Sequence, residues 1–194
     1  MKQEKLNVKD LITIGIMTVL YLVAAFASGM SGMILPVFTV FLPAVSGVLG
    51  ALAFMLLVTK VGKFGAVTLM GTSMGILFTL MGQHWICIPF GLVFGFLADV
   101  IIKSGEYKQF KKVLTGYCIF NNWIVGSMLP MWFMREEYFA KFEKAMPEYI
   151  DIIRSLTANY MLPVIVVLGI AGALVGGFFA KKLLNKHFKR AGII

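Results

Sequence analysis

Few residues in this chain can do chemistry in an apolar setting, and they fall into three groups. Asp99 is the one carboxylate inside a long apolar run, in Gly95-Phe96-Leu97-Ala98-Asp99. A charge at the centre of a bilayer costs roughly 2.5–3.5 kcal/mol, and less near the interface. Asp99 is therefore expected to pair with Lys103 one helical turn later, or to contact a partner subunit. One acid alone offers no proton relay. The second group is Asn121 and Asn122, beside Trp123. Thr115, Cys118, Asn122 and Gly126 share one helical face, which is expected to point into a bundle because buried amides seek partners. They would serve as glue between helices or as ligand contacts. The third group sits at the ends of apolar runs: Met30 and Met33, then Gln83, His84 and Trp85, then Trp132 and Tyr160. In a compact bundle these converge on one mouth and line a substrate site. The plainer role for the aromatic members is an interfacial belt.

Catalytic strings are few. Gly29-Met30-Ser31-Gly32 resembles the GxSG string around the serine of rhomboid proteases. Such a serine needs a general base, and His84 is the one histidine on that side. The order of serine and histidine and the helix pattern both disagree with that family, and no paired-glutamate motif lies in an apolar run. No G-x-x-x-x-G-K-[ST] string occurs, so the chain holds no P-loop for ATP. The chain is expected not to be an enzyme and to carry no cofactor or metal. Its two cysteines, Cys87 and Cys118, are placed in opposite membrane halves and are not expected to pair.

The elements that must position these residues follow from composition. The chain has 194 residues, 59% apolar and 14% charged, with mean hydropathy +0.88. A soluble domain near 150 residues buries only about 70% of its unfolded surface, so this much apolar surface implies lipid. Composition excludes a soluble domain, a disordered chain and a nucleic-acid module. Six apolar runs are evident: 11–28, 34–59, 66–81, 85–102, 113–134 and 161–184. They predict an all-α membrane protein, a six-transmembrane-helix bundle forming a single domain over residues 1–194. The second run carries Pro36 and Pro43, so its first part is expected to bend. Fourteen of the 18 basic residues fall on alternate loops: Lys2, Lys5 and Lys9; Lys60 and Lys63; Lys103, Lys108, Lys111 and Lys112; Lys181, Lys182, Lys186, Lys189 and Arg190. Positive-inside bias then puts both termini in the cytoplasm. The rival reading, a cleaved signal peptide ending at Ala25-Phe26-Ala27, leaves five spans and breaks that pattern.

The one long hydrophilic segment is 135–159, on the outer face. Tyr138, Phe139, Phe142, Met146, Tyr149, Ile150 and Ile153 recur there at helical spacing. This predicts one amphipathic helix, or two broken near Pro147, lying over the outer mouth as a lid or resting on headgroups. Gly71-x-x-x-Gly75, Gly91-x-x-x-Gly95, Gly172-x-x-x-Gly176 and Ala173-x-x-x-Gly177 predict close helix contacts. They leave open whether the contacts lie within the chain or between subunits.

The opening Lys5-Leu6-Asn7-Val8-Lys9-Asp10-Leu11-Ile12-Thr13-Ile14-Gly15-Ile16, then Thr18-Val19-Leu20-Tyr21, and Gly95-Phe96-Leu97-Ala98-Asp99-Val100-Ile101 resemble the Trep_Strep (MptD-type) group of bacterial S components. S components are substrate-binding subunits of energy-coupling factor (ECF) transporters. The resemblance implies a multi-pass bacterial cell-membrane protein that captures a scarce nutrient at the outer face. A T subunit and two cytoplasmic ATPases would complete the importer, and the S component would topple to release substrate inward. Many S components contact the T subunit through Ala-x-x-x-Ala on the first helix. Here Gly15 is followed by Val19, so Gly15 and Thr18, with Asp99, stand as the candidate partner interface. The substrate is expected to be vitamin-like, or haem or another tetrapyrrole. For haem, His84 with Met30, Met33 or Tyr160 would be axial ligands, Trp85 and Trp132 would stack, and Arg135, Lys141, Lys144 or Arg154 would pair with propionates. A stand-alone secondary transporter is the alternative, with an intramembrane enzyme behind it.

Overall fold

A capping box opens the first helix. The Asn7 side chain accepts from the Asp10 amide at 3.0 Å, and Asp10 accepts from the Asn7 amide at 2.9 Å. The computed structural model describes residues 5–185. Lys2, Lys186, Lys189 and Arg190 of the charge pattern lie outside the described residues. Every regular element among those described is helical.

Helix α1 (Val8–Ile34) stops at Leu35, the residue before Pro36, where proline disfavours helical geometry. It runs past the expected end at residue 28, so Met30, Ser31 and Met33 lie on its last turns and not in a loop. Helices α2 (Phe38–Leu49) and α3 (Ala51–Val61) follow, joined through Gly50. The Tyr21 ring packs against Gly50 closely enough that any Cβ there would overlap it. Gly62 (φ +55°) ends α3 and Gly65 (φ +96°) precedes α4, both in the left-handed region that glycine enters freely. Helices α4 (Ala66–Leu80), α5 (Cys87–Lys103) and α6 (Phe110–Phe120) come next. The fifth apolar run, expected to be one continuous helix, is broken. It tightens into a 3-10 turn at Asn121–Ile124 and continues as the short helices α7 (Val125–Met128) and α8 (Pro130–Phe133). Of the expected face, Cys118, Asn122 and Gly126 are buried, while Thr115, on the second turn of α6 and before the break, is exposed. Helices α9 (Arg135–Glu143), α10 (Pro147–Leu156) and α11 (Met161–Leu183) complete the chain.

The helices close a ring. Helix α1 packs on α2, α3 and α4; α4 on α5; α5 on α6; α6 on α11; and α11 returns to α2 and α3. Aromatic rings fill the centre. Tyr21 meets Phe120 edge to face at 5.4 Å, Phe78 meets Trp123 at 4.9 Å, and Phe54 lies 4.7 Å from Tyr117. Among the described residues, three stretches are long and apolar enough to cross a membrane: Val8–Ile34, Phe38–Val61 and Met161–Leu183. Exposed Ile12, Val23, Val93, Phe96, Val167 and Phe178 show how much apolar side chain faces outward. In water this would be an unusually large apolar patch.

The glycine pairs find their partners within the chain. A Cβ on Gly71 would overlap the Gly91 carbonyl, and one on Gly75 the Cys87 carbonyl, so α4 and α5 meet backbone to backbone. Gly172 and Gly176 on α11 meet Ala44 and Gly47 on α2 in the same way, and Gly177 faces Leu114. Both cysteines are buried and free.

Candidate functional site

The ring has two unlike ends. At one end the starts of α1, α4 and α6 gather with the ends of α3, α5 and α11. Lys63 and Asp10 form a partly buried ion pair there at 2.8 Å. Asp99 is fully buried at this end. Its Oδ2 accepts from the Gly65 amide at 3.1 Å and from the Thr68 amide and hydroxyl, both at 2.7 Å. Helix α4 has no side-chain cap of its own, and α5 supplies one through Asp99. The carboxylate thus sits at the positive end of the α4 dipole and satisfies amides that α4 leaves open. The expected pairing with Lys103 gives way to this contact, and the Lys103 ammonium lies 4.9 Å from the Phe64 ring centre. Gly15 is exposed, with open space where a Cβ would stand, while Thr18 is buried and donates to the Ile14 carbonyl at 2.8 Å. These three candidate interface residues therefore do not share one surface.

Asn121 and Asn122 lie in the core. The Asn121 amide nitrogen donates to the carbonyls of Pro43 (2.9 Å) and Gly169 (3.1 Å), and its oxygen accepts from the Tyr21 hydroxyl at 3.1 Å. One side chain thus ties α1, α2 and α11 to the 3-10 turn, and all its bonds are internal. Asn122 donates to the Cys118 carbonyl at 2.8 Å, and its buried Oδ1 has no partner among the described residues.

The opposite end carries the cavity. Helices α9 and α10 form a hairpin, with Pro147 opening α10 where the sequence placed a break. Its root is heavily bonded. Arg135 donates to the Thr157 carbonyl at 2.7 Å, the Thr157 hydroxyl at 3.3 Å and the Arg154 carbonyl. The Arg135 and Arg154 guanidinium groups lie 5.3 and 5.2 Å from the ring centre of the fully buried Phe139. Trp132 donates from Nε1 to the Ala158 carbonyl at 3.1 Å. Across the mouth the contacts are sparse. The Tyr149 hydroxyl donates to the Gly32 carbonyl at 3.0 Å and lies 3.5 Å from the Thr39 hydroxyl. Between hairpin and ring lies an apolar cavity of about 260 Å³. Met33, Thr39 and Met131 line it from the ring; Tyr138, Phe142 and Met146 line it from α9 and the turn after it. Tyr149, Ile150 and Ile153 close it from α10. No lining side chain carries a formal charge. Burial and the neighbouring Tyr149 push the Tyr138 phenol above its ordinary pKa, keeping it a neutral donor.

A smaller pocket of about 100 Å³ lies beside it, lined by Gln83, His84, Glu137 and Lys141, with Tyr138 and Phe142 common to both. The expected convergence is therefore divided: Met33 faces the apolar cavity, Gln83 and His84 the smaller one. His84 Nδ1 accepts from the Ile86 amide at 3.4 Å. Met30, Trp85 and Tyr160 are largely exposed and line neither space, and Trp132 is used in holding the hairpin root. The residues missed as site residues are Thr39, Met131 and the apolar face of the hairpin. That face was visible in the spacing of 138–153, though not its cavity.

Buried seams, outward apolar faces and spanning-length helices define an all-helical integral membrane protein. The chain matches, over residues 8–190, the family described as "Hypothetical bacterial integral membrane protein (Trep_Strep)", and it belongs to that family. No curated protein and no solved structure matches it.

Proposed function

We propose that this protein is the S component of an ECF-type importer, which captures a small nutrient at the outer face and passes it inward with a T subunit and two cytoplasmic ATPases. The observation that carries this reading is the apolar cavity beneath a hairpin that is firmly rooted at Arg135 and lightly held at Tyr149. Such an arrangement suits a binding site that must open and close. The chain crosses the membrane six times in this reading, with both termini inside. Helices α4 and α5, at 15 and 17 residues, are about 22 and 25 Å long, against a hydrocarbon core of about 30 Å. Their crossings call for local bilayer thinning or for help from the flanking turns.

The cavity also narrows the substrate. Small-molecule sites usually enclose roughly 300–1,000 Å³, so this one suits a compact ligand. Its lining of methionine, aromatic and isoleucine side chains with a few hydroxyls favours an uncharged one. A tetrapyrrole fits less well, because His84 and Met33 face different spaces and cannot act as an axial pair across one ring. Of the expected propionate partners, Arg135 is held in the root, Arg154 and Lys141 lie near Glu143 (3.7 Å) and Glu137 (3.5 Å), and Lys144 lines neither space.

Mass spectrometry of the ligand that co-purifies with the protein tests the reading directly. A compact nutrient near one per chain is expected, with uptake dependent on T subunit and ATPases. Accumulation by the purified chain alone under a proton gradient would establish the secondary transporter instead. Topology is tested in a background lacking Cys87 and Cys118. A cysteine replacing Ala145 is expected to label from outside, and one replacing Tyr107 is not; the opposite pattern overturns the orientation.

A further inference from the structure

At the lysine-rich end, α3, α6 and α11 leave a second cavity of about 240 Å³. Its floor is apolar, with Met55, Val58, Phe110 and Leu184, and its polar lining is Thr59, Lys108, Lys181 and Asn185. Among the described residues, no carboxylate lines it. The Lys181 ammonium is held 4.1 Å from the Phe110 ring centre, and Phe110 in turn packs on Phe178 at 5.6 Å. From Phe178 an exposed apolar stripe continues along α11 through Val175 and Leu174. The adjacent loop is bent to shape: Glu106 and Tyr107 both take left-handed backbone conformations (φ 52° and 59°), unusual for a glutamate and a tyrosine. Tyr107 and Lys108 then form the wall nearest α6.

The juxtaposition of two cations, an apolar floor and an outward apolar stripe matches the shape of a phospholipid. We propose that this cavity binds the phosphate headgroup of an anionic glycerophospholipid, with Lys108 and Lys181 as its cations and the acyl chains lying along the Val175–Phe178 stripe. The proposal rests on the membrane-spanning reading of the chain, which places this cavity at the headgroup level of the lysine-rich side. It is independent of the outer cavity and of any substrate. Basic pockets between membrane helices on the cytoplasmic side are suited to anionic headgroups, and each lysine near the surface adds to the attraction.

The test uses the full chain in detergent, titrated with phosphatidylglycerol and, separately, with phosphatidylcholine and inorganic phosphate, and read by native mass spectrometry and thermal unfolding. One phosphatidylglycerol per chain is expected to be retained, with no comparable retention of phosphatidylcholine. The Lys108→Gln/Lys181→Gln pair should weaken phosphatidylglycerol binding about tenfold or more. Lys181→Arg should keep most of it, and Lys144→Gln, at the opposite end, should keep all of it. If the double variant does not fold, Lys181→Gln alone carries the reading, with a smaller loss. Equal retention of phosphatidylcholine, or unchanged binding in the lysine variants, overturns the proposal. Displacement by inorganic phosphate at matched concentration overturns the lipid as the source and leaves a free anion site.

Discussion

The α4–α5 seam and the α9–α10 hairpin solve the same packing problem in opposite ways. In the seam, Gly71, Gly75 and Gly91 bring backbone against backbone and leave no space. Glycine has no rotamers to freeze, so close van der Waals contact is gained without side-chain ordering. In the hairpin, methionines, tyrosines and isoleucines meet the ring through long side chains and leave about 260 Å³ between them. Sealed and empty, an apolar void that size would cost about 6 kcal/mol at the usual ~24 cal/mol per Å³. Opening to the outside lowers that figure, yet the contrast stands. One region is shaped to stay shut, and the other keeps a space that an occupant can fill.

The largest expected effect breaks the seam. Gly91→Leu would force a side chain into the Gly71 carbonyl and should destabilise the protein by about 3 kcal/mol or more, above the usual range for overpacking. Gly15→Leu adds the same side chain where nothing lies within 4 Å, and should change stability by less than about 0.5 kcal/mol. Thermal or denaturant unfolding of the detergent-solubilised protein compares them. Equal midpoints would mean that the seam is not the rigid part.

A smaller effect asks what fixes the seam's end. Asp99→Ala leaves the Gly65 and Thr68 amides without an acceptor at the start of α4, and should cost about 2 kcal/mol, the range for lost caps and unsatisfied buried donors. Stability equal to wild type would show that shape alone aligns α4 with α5.

Much of this could be read in advance, and what could not has a physical reason. The apolar runs became helices because apolarity over that length permits little else in lipid. The hairpin break followed from Pro147, which is at home in a first turn but not in a helix interior. The break at Asn121–Ile124 was hidden although Asn121 and Asn122 mark the place, because apolar residues resume at once on both sides and no glycine or proline stands in the turn. Only the distant partners of Asn121, at Tyr21, Pro43 and Gly169, show what it does. Asp99 was read against Lys103, its nearest cation in sequence; its actual partners are backbone amides 31 and 34 residues away. Local spacing cannot report such contacts. The same holds for the site: Tyr138, Phe142 and Tyr149 were visible as an apolar face, while the opposing Thr39 and Met131 carried no local signal.

The smallest effect tests the hairpin's free edge. Tyr149→Phe removes one hydroxyl, and with it the bond to the Gly32 carbonyl, but keeps the ring that lines the cavity. The Arg135 root is untouched, so global stability should fall by no more than about 1 kcal/mol. If that hydroxyl holds the edge closed, loss of one such bond should raise the open population about two- to tenfold. The readout is the reaction of a cysteine at Met131, a buried lining position, with a soluble thiol reagent in a background lacking the native cysteines. Native Cys87, fully buried where α5 meets α4, serves as the seam probe in a chain lacking Cys118. Tyr149→Phe should speed labelling at 131 and leave Cys87 unreactive. Faster labelling at both sites would mean that the whole ring loosens together, and unchanged labelling at 131 would mean that Tyr149 is not what holds the hairpin down.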